Sequence, residues 1–144
     1  MSERQSMRPF KTLIVEDNIS FRQTLLEILG ARFPFMSIEE AGDGDEALQK
    51  IDLSVPDLIF MDIKLPGGNG LQLTQKIKRK YSEVVIIVLT SYHFPEYREA
   101  AYRSGANHFM VKGGSTNEEI LALVESIIED SGFAADGSAK GNHT

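Results

Sequence analysis

Four apolar runs in this 144-residue chain each end on polar side chains. Phe10-Lys11-Thr12-Leu13-Ile14-Val15 meets Glu16-Asp17. Asp57-Leu58-Ile59-Phe60-Met61 meets Asp62. Val84-Val85-Ile86-Ile87-Val88-Leu89 meets Thr90, and His108-Phe109-Met110-Val111 meets Lys112. Short continuous apolar runs read as buried strands, and the segments between them carry helical periodicity. Strands alternating with helices predict a parallel sheet covered on both faces. In such a sheet every strand ends at the same edge, and ligands bind there, where the strand order reverses. Glu16, Asp17, Asp62, Thr90 and Lys112 are therefore expected in one crevice. Acids, a hydroxyl and an amine gathered in that way suit a divalent cation and a phosphoryl group.

The intervening segments fit that plan. Residues 1–10 read as a loose arm and 11–17 as the first strand. The first helix is expected to start at Asn18 or Ser20, either of which can cap it, with Phe21, Leu25, Ile28 and Leu29 inward. Met36 to Ala41 alternates apolar and polar, as an edge strand does. Ala47, Leu48 and Ile51 mark a second helix, and Val55-Pro56 opens the next strand. Leu65-Pro66-Gly67-Gly68-Asn69-Gly70 is a shaped loop. Leu73 and Ile77 mark the third helix. Pro95 suits the first position of a fourth, with Gly105 as its stop. Ser115-x-x-Glu118 predicts the capping box of a fifth, followed by a stripe of Ile120, Val124, Ile127 and Ile128. From Ser131 the composition is that of a linker or disordered tail. The domain is thus expected over 11–130, with 131–144 outside it.

Bulk properties narrow the function. Net charge is −6, so no basic face suggests direct nucleic-acid binding. The chain has no cysteine, which excludes disulfides, thiolate metal sites and Cys nucleophiles. No apolar run reaches the roughly 18 residues of a membrane helix, and residues 1–10 lack the apolar centre of a signal peptide. A cytoplasmic protein with protein partners is the expectation. His93, His108 and His143 are scattered and suggest no metal site.

Glu16-Asp17, Asp62 with Pro66 and Gly70, Thr90-Ser91, and Phe109-x-x-Lys112 occur in this order over residues 11–130. In these features the chain resembles the receiver domains of two-component response regulators. The resemblance implies a flavodoxin-like α/β fold, a five-stranded parallel sheet in the order 2-1-3-4-5, whose edges are the two strands with the weakest apolar pattern. It also implies that Asp62 takes a phosphoryl group from a sensor histidine kinase or phosphotransfer protein. Adjacent acids beside Asp62 would repel without a cation among them. Asp17 and Asp62 are accordingly assigned as direct Mg²⁺ ligands and Glu16 as a water-mediated one, with the Lys64 backbone carbonyl implied as a further ligand by the resemblance. Lys112 and Thr90 would bind the phosphoryl oxygens, and Phe109 would be the aromatic that turns inward as Thr90 moves. Lys64 and Tyr92 stand where receivers vary and are candidates for tuning phosphoryl loss. Tyr97 and Tyr102 are candidates on the output face. Such a protein catalyses only its own phosphorylation and dephosphorylation, and it acts through a downstream protein or a missing output domain. A homodimer is compatible.

Two features depart from the family pattern. Lys112 is followed by Gly113 where most receivers have proline after a cis bond. A non-proline cis bond costs about 2.5–4 kcal/mol, so the loop is either trans on a different path or cis at that cost. Gly68-Asn69 replaces a more usual Met-Asp, with the loop length kept. Three other functions fit these residues less well. A haloacid-dehalogenase-like phosphatase needs a second Asp where Lys64 stands. A flavin mononucleotide module needs a Ser/Thr/Gly-rich loop where Glu16-Asp17-Asn18 would repel phosphate. A receiver-shaped scaffold that takes no phosphoryl group would not need the full acid set.

Overall fold

The structure is a computed structural model that describes residues 9–133. Residues 1–8 of the expected arm, 134–144 of the expected tail, and His143 lie outside the described residues. Five strands alternate with five helices. They are β1 (Phe10–Val15), α1 (Ile19–Arg32), β2 (Met36–Ala41), α2 (Gly44–Leu53), β3 (Leu58–Met61), α3 (Gly70–Lys80), β4 (Val85–Thr90), α4 (Pro95–Arg103), β5 (His108–Val111) and α5 (Asn117–Asp130). A two-residue hairpin, Lys64–Leu65 against Gly68–Asn69, lies between β3 and α3. The sheet is parallel throughout, in the order β2-β1-β3-β4-β5. This is the expected flavodoxin-like arrangement.

Alternation along β1 divides the core into two layers. Leu13 and Val15 face α2, α3 and α4 with Ile59, Met61, Ile86 and Val88. Phe10 and Ile14 face α1 and α5 with Leu58, Phe60, Ile87 and Leu89. The central strands β3 and β4 are buried on both sides, whereas β2 alternates as an edge strand does. Each fully buried Ile or Leu in these layers contributes about 1.5–3 kcal/mol of transfer free energy.

The local signals for helix starts hold with one shift. Asn18 accepts from the Phe21 amide at 2.9 Å and caps α1. Pro95 opens α4, and Gly105 follows its end at φ 107°. The capping box of α5 falls one residue later than Ser115-x-x-Glu118. Thr116 Oγ1 accepts from the Glu119 amide, and Glu119 accepts in return from the Thr116 amide. Ser115 is drawn back toward β5 instead, its amide donating to the Val111 carbonyl at 2.8 Å.

Three other boundaries also move. Phe10, expected in the arm, is 1% exposed and begins β1. Packing also runs past Ser131, because Phe133 stacks on Phe35 at 5.1 Å and meets Phe10 edge-on at 5.8 Å. Val55 is exposed, and β3 starts at Leu58. Asp57 ends the approach by accepting from the Lys11 amide at 2.8 Å. In each case a side chain that sequence composition counts as linker or strand finds a specific tertiary partner.

Candidate functional site

Strand register brings the polar ends together. Val15 pairs with Met61, Met61 with Val88, and Thr90 with Val111. The ladder continues one step beyond the strands, where Asp62 N donates to Val15 O at 3.1 Å and Lys112 N donates to Thr90 O at 2.8 Å. Glu16 N likewise donates to Ala41 O at 2.9 Å. Backbone bonds therefore hold residues 16, 62, 90 and 112 at the C-terminal edge of the sheet, 16 and 62 level with each other and 90 and 112 one and two steps beyond them. Of the five expected contributors, side-chain contacts join Glu16, Asp62 and Lys112, Asp17 lies close to both acids, and Thr90 stands at the end of neighbouring β4.

Lys112 is the hub. Its Nζ lies 2.6 Å from Glu16 Oε1 and 3.0 Å from Asp62 Oδ2. The side chains of Glu16, Asp62 and Lys112 are 4%, 10% and 14% exposed. Ion pairs this withdrawn from water are weakly screened and strongly felt. The second oxygens also have partners, since Ile63 N donates to Asp62 Oδ1 at 2.7 Å and Asn18 N donates to Glu16 Oε2 at 3.0 Å. Burial pushes the Glu16 carboxyl above the usual range, and nearby Asp62 adds to that, although Lys112 and the Asn18 amide pull the other way. For Lys112, burial alone would lower the ammonium. Its hydrogen bonds to Glu16 and Asp62, with their charges, together outweigh burial and raise it. Both partners thus sit above their ordinary values for different reasons.

Carboxylate oxygens of Glu16, Asp17 and Asp62 all lie within 4.8 Å of one another. Hard oxygen donors at that spacing fit Mg²⁺, which accepts one or two carboxylates and keeps several waters. Asp17 is exposed and open to solvent on this side. Both oxygens of Glu16 and both of Asp62 already have partners within the protein. Lys64 lies in the hairpin, paired with Asn69, and its side chain is exposed.

The hairpin returns the chain to Asp62 by a very close approach. Gly70 N donates to Ile63 O at 2.6 Å. A Cβ at Gly70 would stand 1.8 Å from the Asp62 carbonyl oxygen, so only glycine fits. The residue that opens α3 thereby fixes the backbone of Asp62. On the far side of the crevice Thr90 is 1% exposed, and its Oγ1 accepts from Tyr92 N at 3.4 Å. Tyr92 stacks on Tyr97 at 5.1 Å. Phe109 is buried in the α2, α3 and α4 layer, with the Arg98 guanidinium 5.3 Å from its ring centroid. Among the described residues no peptide bond is cis, so the Lys112–Gly113 bond is trans and Gly113 takes φ 80°. Of the two loop paths open from sequence, this is the trans one.

Some contributors carried no recognisable signal in the sequence. Arg22, on α1, donates through Nη1 to the Glu16 carbonyl at 2.8 Å and through Nε to Glu40 Oε1 at 2.9 Å. Phe21 places its ring against the Lys112 ammonium. Both follow Asn18 at ordinary helical positions, and only the tertiary fold reveals what they meet. Both Tyr97 and Tyr102 are expected on the surface; Tyr102 is exposed on α4, but Tyr97 is half-buried because its ring stacks on Tyr92.

A parallel five-stranded sheet with a carboxylate crevice at its C-terminal edge is the frame of a signalling receiver. A family model described as the response regulator receiver domain matches residues 12–125, and the chain belongs to that family. Its members are phosphoacceptors of two-component signalling and are not classical enzymes. Among its relatives, the transcriptional regulatory protein PdtaR of Mycobacterium tuberculosis is 35% identical over 115 residues, covering 80% of this chain and 55% of PdtaR. The oxygen regulatory protein NreC of Staphylococcus haemolyticus is 32% identical over 114 residues, covering 78% of this chain and 52% of NreC. The chain thus spans about half the length of these curated relatives. A CheY-like receiver domain protein from Methanospirillum hungatei superposes with a TM-score of 0.78 at 24% identity, covering 85% of this chain and 96% of its own, a likeness of fold. Among the described residues no helix is long and apolar enough to cross a membrane.

Proposed function

We propose that Asp62 is the phosphoacceptor of a response regulator and that its modification switches the surface around Thr90 and Phe109. The observation that carries this reading is the double contact of Lys112 with Glu16 and Asp62, beside an Asp17 carboxylate within 4.8 Å. A carboxylate oxygen of Asp62 attacks the phosphorus of a phosphohistidine on a sensor kinase or phosphotransfer protein. The new O–P bond forms as the P–N bond breaks, and the imidazole leaves with the bonding pair. Asp17 and Asp62 would hold Mg²⁺ directly, with Glu16 through water and the Lys64 carbonyl completing the set. The bound ion supplies charge neutralisation for the phosphoryl oxygens.

The chain's own residues do the rest. Lys112 loses an acceptor when Asp62 is modified and donates to the phosphoryl group instead, a point charge on a flexible stem. The Thr90 hydroxyl, now bonded only to the Tyr92 amide, donates to another phosphoryl oxygen. Phe109, the aromatic expected to turn inward with that movement, is already packed inward, and the movement would hold it there. Lys64 and Tyr92 border the phosphoryl position and set how quickly water reaches it. Because the relatives are about twice as long, the output acts through a further domain or a separate protein. The surface of α4, β5 and α5, with exposed Tyr102, is a fitting face for it.

Intact mass after incubation with a small phosphodonor and Mg²⁺ tests the reading. The native chain is expected to gain one phosphoryl mass and Asp62→Asn none. A native chain that stays unmodified, or an Asp62→Asn variant that is modified equally, overturns it.

A further inference from the structure

Lys112 has a third neighbour besides its two carboxylates. The ring centroid of Phe21 lies 4.6 Å from Nζ, within the range of a cation–π contact. We infer that Phe21 is a positioning residue for Lys112, its ring face holding the ammonium over the crevice between Glu16 and Asp62. The inference deepens the function proposed above and rests on Lys112 serving the phosphoryl group.

The chemistry of the amine explains the need. An ammonium has three donors on a flexible four-carbon stem. Two are taken by Glu16 and Asp62, and the side chain is only 14% exposed, so little water reaches the remainder. An aromatic face attracts a cation without demanding a fixed hydrogen-bond direction. The ammonium can therefore turn from the Asp62 oxygen to a phosphoryl oxygen without losing this contact. A third carboxylate there would pull the amine away from Glu16 and Asp62. An aliphatic side chain would desolvate the remaining donor without offering it a partner.

Local structure fixes the ring. Asn18 accepts from the Phe21 amide and so sets the first turn of α1. The Asn18 amide meets Glu16 Oε2, and Arg22 meets the Glu16 carbonyl. Phe21 also lines the same small void as Glu16 and Asp62 and packs against the α1 and α5 layer. The first turn of α1 thus grips both members of the Glu16–Lys112 pair, the acid by hydrogen bonds and the amine by a ring.

The test replaces Phe21 in the full chain by phenylalanines bearing one, two or three ring fluorines, which nearly preserve shape while weakening the negative face. Two measurements are made. In the metal-free protein, the ε-methylene protons of Lys112, assigned by Lys112→Met, should be displaced upfield by the ring current and return to ordinary positions in Phe21→Leu. With a small phosphodonor and Mg²⁺, the initial phosphorylation rate should fall stepwise with each fluorine, by about three- to thirtyfold across the series. Phe21→Trp should keep a near-native rate. Equal rates across a folded fluorinated series, with the native chain modified normally, overturn the positioning role and leave the assignment of Asp62 standing. An ordinary Lys112 ε-proton shift in the native protein also overturns it. A native chain that takes no phosphoryl group sinks the reading of Asp62 and this one with it, whatever the proton shifts show.

Discussion

At the N-terminal end of the sheet, Asp57, Asn107 and His108 line an open groove of about 860 Å³. At the C-terminal end, Glu16, Phe21 and Asp62 adjoin only a small void among apolar side chains of β1, α1, β3 and β4, with no room for a water molecule. The larger concavity is not where the chemistry gathers. In the groove, polar side chains serve nearby backbone: Asp57 accepts from Lys11 N at 2.8 Å, and Asn107 Oδ1 accepts from Ile86 N at 2.9 Å. At the other end the charged groups face one another, with Lys112 between two acids. The first arrangement satisfies donors that a strand end leaves over. The second withdraws charges from water, a cost that folding alone does not require. Convergent buried charge, more than cavity size, distinguishes the functional end.

The sharpest way to break this contrast is at Gly70, where one methyl group would meet the Asp62 carbonyl at 1.8 Å. Gly70→Ala must push α3 or Asp62 out of place, so a loss of about 3 kcal/mol or more is expected in urea unfolding, with phosphorylation lost as well. A variant of native stability would show that the hairpin can yield. Lys112→Met comes next. It leaves Glu16 and Asp62 facing each other without their cation and removes a phosphoryl donor. Phosphorylation from a small donor should fall by about a hundredfold, on the scale of losing one preorganised charged contact. A rate within a few-fold of native would remove Lys112 from the mechanism.

The sequence revealed most of this architecture because its signals were local or periodic. Four apolar runs gave the strands and their polar ends, and the edge pattern of Met36 to Ala41 placed β2. The acids at 16, 17 and 62 and the amine at 112 were visible because they close those runs. What stayed hidden depends on tertiary geometry. Phe21 looks like any inward aromatic on a helix, and its contact with Lys112 exists only once α1 lies across the end of β1. Gly70 was legible as part of a loop motif, but not the near-contact that makes it obligatory. The α5 cap slipped from Ser115 to Thr116 because Ser115 and Thr116 both suit a cap and only the backbone bond to Val111 chooses between them. Phe133 looked like tail because nothing in composition announces Phe35 and Phe10 as its neighbours.

The N-terminal end offers the complementary test. Asn107→Ala leaves the Ile86 amide without its acceptor and removes a partner of Lys78 Nζ, 3.2 Å away. A buried donor left unpaired costs about 1–3 kcal/mol. Stability should drop by that order while the phosphorylation rate of the folded protein stays native. A slowed rate would mean that the two ends are coupled and that the contrast drawn above is too sharp.

The smallest effect concerns His108, beside Asn107 on the rim of the same groove. Burial lowers its pKa below the ordinary value of 6.5. Charged groups lining the groove with it are Asp57, Lys80, Glu83 and Asp130. Because the folded chain resists protonating His108, the unfolded chain binds more protons just below pH 6.5, and stability there must rise with pH. Its contribution is fully present above the unfolded pKa and is lost as pH falls through the folded one. Urea midpoints measured from about pH 5 to 7.5 should show this slope in the native chain and a shallower one in His108→Gln. An identical slope in both would mean that the imidazole is as well solvated in the fold as outside it, and the groove would then be more open than its lining suggests.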